Sequence, residues 1–126
     1  MHPFVLSHTT RSYPRLPYER IKNDLLGPDY RLSLVFVGAT RAKELNQSTR
    51  GKDYVPNVLS FPLSKHSGEI YITPAVAARE APKYNLTPRG YVGFLYIHGL
   101  LHLKGYDHGP KMEQTEQKYL KKYQLG

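Results

Sequence analysis

The residues best equipped for chemistry are the three histidines of HGLLHLKGYDH, residues 98–108. His98 and His102 are four apart, and on a helix that spacing sets two imidazoles one above the other on a single face. Gly105, three residues past the second histidine, can take the left-handed conformation that ends a helix and reverses the chain. His108 then swings back to offer a third nitrogen. Three protein donors leave a fourth position open, as in catalytic rather than structural zinc, and water held there becomes a nucleophile near neutral pH. A lone histidine in an apolar helix is more often a packed core residue. Three at this spacing, with a glycine between the last two, point to one Zn2+ held by His98, His102 and His108 plus a water.

The same H-x3-H-x2-G-x2-H spacing occurs in the metzincin proteases, where the residue after the first histidine is a glutamate acting as general base. Here that residue is Gly99, which disfavours peptide hydrolysis by that route. Asp107 can orient a ligand imidazole, take a proton from the attacking group, or cap the turn. Ser60, in VLSFP, has no histidine or aspartate pattern around it in sequence, so it is read near the cleft floor rather than as a nucleophile. Arg50, taken by itself, is a loop charge. His66 is read as a surface residue, His2 and His8 as uncertain, and Glu113 and Glu116 as facing water.

The elements that must position these groups can be read from pattern. RGYVGFLYIHGLLHLK is apolar nearly all round from Tyr91 to Leu103, which predicts a central helix. It opens with Thr87-Pro88, and TPAVAAREA opens the same way with Thr73-Pro74; in both, the threonine is expected to cap and the proline to take the first helical position. PYERIKNDLLG, bounded by Pro17 and Gly27, reads as a helix, and TRAKELNQS as a short one capped by Thr40. The stretch around Phe4–Leu6 reads as extended, YRLSLVFVG as a strand, and NVLSFPL and EIYIT as a hairpin across SKHSG. TRGKDYVPN is a charged loop, and KMEQTEQKYLKKY a polar last helix. The fold expected is α+β: a β-sheet of about four strands packed with about five helices, the metal site on the central apolar helix and the turn after it.

Composition narrows the partners. A chain of 126 residues suits one domain over 1–126, and with no cysteine any metal must be held by histidine, carboxylate or backbone oxygen. The formal net charge of +8 favours encounter with polyanions, and eleven tyrosines offer rings for stacking on bases. No run approaches the roughly twenty apolar residues of a membrane span, and the amino terminus lacks the pattern of a signal peptide. The expectation is a soluble, cytoplasmic protein without membrane partners.

HGLLHLKGYDH resembles the signature of the YbeY family of bacterial rRNA maturation factors, which are metal-dependent endoribonucleases. NQSTRGKDYVPNVLSFPL, GEIYIT and REA are similar to further blocks of that family, although Pro56 stands where the family usually has threonine and Glu69 replaces an aspartate. The resemblance runs over roughly residues 30 to 120. It implies that the sheet is a small mixed β-sheet. It implies zinc-dependent, single-strand-selective RNA cleavage in ribosomal RNA processing, notably at the 3′ end of small-subunit ribosomal RNA, and in ribosome quality control. It also implies RNA and small-subunit components as partners. The family's basic cleft residue carries over onto Arg50, as a clamp on phosphate and a stabiliser of transition-state charge. Asp107 stands beside it as a catalytic candidate and Ser60 as a substrate contact. Water or the ribose 2′-hydroxyl could be the attacking group. Two other readings stay open: a metal-stabilised assembly factor with little catalysis, and a metallopeptidase.

Overall fold

The computed structural model describes residues 2–126. Four strands, β1 (Phe4–His8), β2 (Arg31–Phe36), β3 (Val58–Ser64) and β4 (Ser67–Ile72), form one sheet in the order β1-β2-β4-β3. β1 and β2 run parallel, as do β2 and β4, while β3 returns antiparallel to β4 in the hairpin that SKHSG announces. Five helices join them: α1 (Tyr18–Leu26), α2 (Ala39–Arg50), α3 (Pro74–Glu80), α4 (Pro88–Lys104) and α5 (Pro110–Lys122), with a 3₁₀ turn over Ala81–Tyr84. The architecture is the expected mixed α+β arrangement.

Alternation along the strands gives the sheet its apolar face. Leu32, Leu34 and Phe36 of β2 are buried, and Leu34 and Phe36 pair in register with the buried Ile70 and Ile72 of β4. Against this face lies α4, which contacts α1, α3, α5, β3 and β4. Val92, Leu95, Tyr96, Ile97, Leu100 and Leu101 are all buried, so the helix is the centre of the core, as its all-round apolarity predicts. Each such side chain contributes about 1.5–3 kcal/mol relative to exposure. At Gly99 an added Cβ would lie 3.1 Å from Ile70 Cδ1, so the absence of a side chain is what lets the helix approach the sheet this closely.

Capping divides the threonines. Thr87 accepts the Gly90 N–H on its hydroxyl at 3.0 Å, whereas Thr73 occupies the cap position of α3 without making that bond. Thr40 is not a cap: α2 begins one residue earlier, with Gly38 in that place, and continues to Arg50. Gly51 then ends it in the left-handed region, its N–H donating to the Gln47 carbonyl and the Lys52 N–H to that of Asn46. Arg50 therefore sits in the last turn of a helix rather than in a loop. Lys22, in the middle of α1, is fully buried, and its ammonium reaches past the helix end to donate to the carbonyls of Gly27, Pro28 and Tyr30. Those bonds hold the α1–β2 connection in place of the missing helical donors. Desolvation lowers the pKa of that ammonium.

Candidate metal centre and RNA cleft

The three histidines converge. Their ligand nitrogens all lie within 4.8 Å of one another, and the ring centroids are 4.5 Å (His98–His102), 4.6 Å (His102–His108) and 5.1 Å (His98–His108) apart. α4 supplies the first two from one face. Gly105, at φ +105, closes the helix, its N–H donating to the His102 carbonyl and the Tyr106 N–H to that of Leu101, and turns the chain so that His108 comes back.

Hydrogen bonds decide which nitrogens face inward. The Tyr106 carbonyl lies 3.1 Å from His102 Nδ1 and can only accept, so that ring carries its proton on Nδ1. The Glu116 carboxylate lies 2.6 Å from His98 Nδ1 and accepts there too. Burial, and then the neighbouring His98 ring, lowers the pKa of His102, favouring the neutral form. With Nδ1 turned outward on both rings, the two Nε2 atoms face each other across 3.0 Å, and that of His102 is a bare lone pair. A tetrahedral ion bonded at 2.0–2.1 Å needs nitrogens about 3.4 Å apart; here the facing pair is 3.0 Å apart and all three lie within 4.8 Å of one another. The donor set fits a metal ion.

Glu116 corrects the sequence reading. It is 5% exposed, not facing water, and it fixes the ring orientation of His98 from behind. A signal was present: Met112, Glu116 and Leu120 recur every four residues, and all three are buried, so Glu116 lies on the apolar stripe of α5. Glu113, by contrast, is exposed as expected, as is His66; His2 and His8, left uncertain by the sequence, are exposed too.

A cleft of about 390 Å³ opens over His98 and His102. Arg50 lines it from the end of α2, Tyr54 from the following loop, Ser60 and Phe61 from β3, and Gly99 from α4. Arg50 and Ser60 are thus brought to the histidines across some fifty residues of sequence. The Ser60 hydroxyl donates to the Gly99 carbonyl at 3.1 Å, tying β3 to α4 and leaving its oxygen able only to accept from a ligand. Asp107 lies apart from this cleft, exposed in the α4–α5 turn beside His108, and among the described residues its carboxylate accepts no side-chain hydrogen bond. At the foot of β3, Glu80 Oε1 accepts from Asn57 Nδ2 at 2.9 Å and from the Tyr91 hydroxyl at 3.0 Å, anchoring the strand to α3 and α4. Burial and then Glu80 raise the Tyr91 pKa, so the phenol keeps the proton it donates.

The sequence model of the family described as Endoribonuclease YbeY matches residues 13–124, further toward the amino terminus than the motifs alone reach. The Endoribonuclease YbeY of Alkaliphilus metalliredigens is 39% identical over 106 residues, covering 75% of this chain and 66% of that protein. That of Alkaliphilus oremlandii is 41% identical over 90 residues, 64% of this chain and 60% of that protein. A Neisseria meningitidis counterpart is 37% identical over 109 residues, 78% and 63% respectively. The matched chain thus spans 60–66% of the length of these relatives. The solution structure of TM1509 from Thermotoga maritima superimposes with a TM-score of 0.71 at 29% identity, covering 93% of this chain and 86% of that one. With the family pattern spread over nearly the whole fold and the three histidines converged at its centre, the chain belongs to the YbeY family.

Proposed function

We propose that this chain is a zinc-dependent endoribonuclease that cuts single-stranded RNA in the cytoplasm during ribosomal RNA processing. Its expected substrate is the 3′ region of small-subunit ribosomal RNA, met among small-subunit components and in ribosome quality control. The observation that carries the reading is the convergence of three histidine nitrogens, two of them Nε2 atoms facing each other, under a cleft whose other side carries Arg50. Relatives named Endoribonuclease YbeY and a formal net charge of +8 support it. Among the described residues no helix is long and apolar enough to cross a membrane. An all-imidazole donor set suits zinc.

When bound at His98, His102 and His108, the ion supplies Lewis acidity and acidifies water. The chain's own groups do the rest. Arg50 presents planar N–H donors to phosphate oxygens and offsets the charge that builds on them in the transition state. Ser60 accepts a hydrogen bond, as from a ribose hydroxyl. Asp107, exposed in the turn beside His108, supports that turn or acts as general base; loss of cutting in Asp107→Asn with metal content whole would mark the base. Gly99 puts no carboxylate where a peptidase of matching histidine spacing carries its base. The deciding experiment is elemental analysis of the native protein joined to a cleavage assay on single-stranded RNA with and without chelator. One equivalent of zinc and chelator-sensitive cutting are expected. Stoichiometric metal with no cutting at high protein concentration leaves only an assembly role.

A further inference from the structure

Tyr54 is one of the few large side chains left in the open, 51% exposed, and it lines the same cleft as Arg50 and His98. The loop that carries it is held firmly. Asn46, fully buried, donates from Nδ2 to the Tyr54 carbonyl at 3.0 Å, and its Oδ1 accepts from Arg50 at 3.2 Å. The Lys52 N–H donates to the Asn46 carbonyl, and Gln47 Nε2 donates to Asp53 Oδ1 at 2.6 Å. One buried amide therefore sets the spacing between a guanidinium and the residue that bears a water-facing ring. A ring kept exposed on so constrained a loop loses little freedom when something stacks on it.

We propose that Tyr54 is a base-stacking residue: its ring receives the unpaired base beside the phosphate that Arg50 engages, and Asn46 is the positioning residue that holds the two at one spacing. The proposal rests on the RNA-cleaving reading above and gives it a physical reason for preferring single strands. Inside a duplex both faces of a base are covered by neighbours; an unpaired base offers one to the ring. Every base has such a face, so the contact tolerates sequence.

The chain contains no tryptophan, so Tyr54→Trp installs a single emitter at this point. Titration with a single-stranded oligoribonucleotide should quench its emission, while the same backbone carrying abasic riboses, or a duplex, should not. Asn46→Ala in the same background should weaken the quench while far-UV circular dichroism shows the fold retained. For cleavage, Tyr54→Ala should raise KM about tenfold with kcat and metal content held, and Tyr54→Phe should recover most of the loss. Equal quenching by the abasic strand, or a wild-type KM in Tyr54→Ala, overturns the stacking role alone. If the wild-type protein neither binds nor cuts single-stranded RNA, the nuclease reading falls, and the stacking role with it.

Discussion

The two sides of the cleft are built on opposite principles. On the α4–α5 side, His98 and His102 are fixed twice, by a helix buried at the centre of the core and by a hydrogen bond to each Nδ1. On the α2–β3 side, Arg50 and Tyr54 lie exposed and share one buried amide. Ligand nitrogens must hold an ion to a fraction of an ångström, and rotamers locked by packing do that. On the α2–β3 side Asn46 holds the Tyr54 carbonyl and meets one Arg50 nitrogen, while the Arg50 and Tyr54 side chains stay open to solvent where a polymer can reach them. The histidine side is fixed down to its ring nitrogens and the other chiefly through its backbone, so damage to each should be separable.

The largest effect expected is from His102→Ala. With one of the two facing nitrogens gone, elemental analysis should find less than stoichiometric metal, RNA cutting should fall to background, and added zinc should no longer raise the melting temperature. A full equivalent of retained metal would contradict the ligand assignment. Next is Arg50→Ala, which should lower kcat/KM for RNA about a hundredfold while metal content stays whole. Metal loss in this variant would break the separation of the two sides; an unchanged rate would return Arg50 to a solvated charge.

How far sequence could see follows the same division. The histidine pair, the reversing Gly105 and the apolar α4 were legible because each is a local pattern with one physical solution. So was the β3–β4 hairpin. The parallel pairing of β1, β2 and β4 was not, because it depends on crossovers through α1 and α2 that leave no local mark. The extension of α2 to Arg50 was hidden by Thr49, Arg50 and Gly51, which read as loop residues until Gly51 is seen to be the helix's left-handed end. Glu116 was missed because a carboxylate among lysines and glutamines looks solvated. Its partner, His98, is eighteen residues away on another helix.

Glu116 sharpens the comparison from the metal side. Glu116→Gln keeps an acceptor for His98 Nδ1 but removes the charge, and metal affinity should weaken about tenfold, measured by competition with a chelator of known affinity. RNA binding by the metal-loaded protein should change far less. If Glu116→Gln binds metal like the wild type, the orienting bond adds nothing to what the helix already fixes.

The smallest effect tests whether pre-organisation of the metal side reaches beyond the site. The far end of α5 is tied to α1 where Lys122 and the Tyr123 hydroxyl both donate to Asp24. Those bonds, Lys122 first, hold the Asp24 carboxyl below the usual carboxylate range, and burial and then Asp24 push the Tyr123 phenol up to about 12. A carboxyl whose folded value is depressed stabilises the fold at pH above its unfolded value, and that contribution is lost as pH falls through the folded one. Asp24→Asn should therefore melt about 2 °C lower at neutral pH, and the two curves should converge as the pH drops below about 4. Because Glu116 sits on the same helix, a loosened end should also weaken metal binding, by less than Glu116→Gln does. A wild-type metal affinity in Asp24→Asn would confine the rigid side to α4, its turn and the buried half of α5, with the outer end of that helix contributing to stability alone.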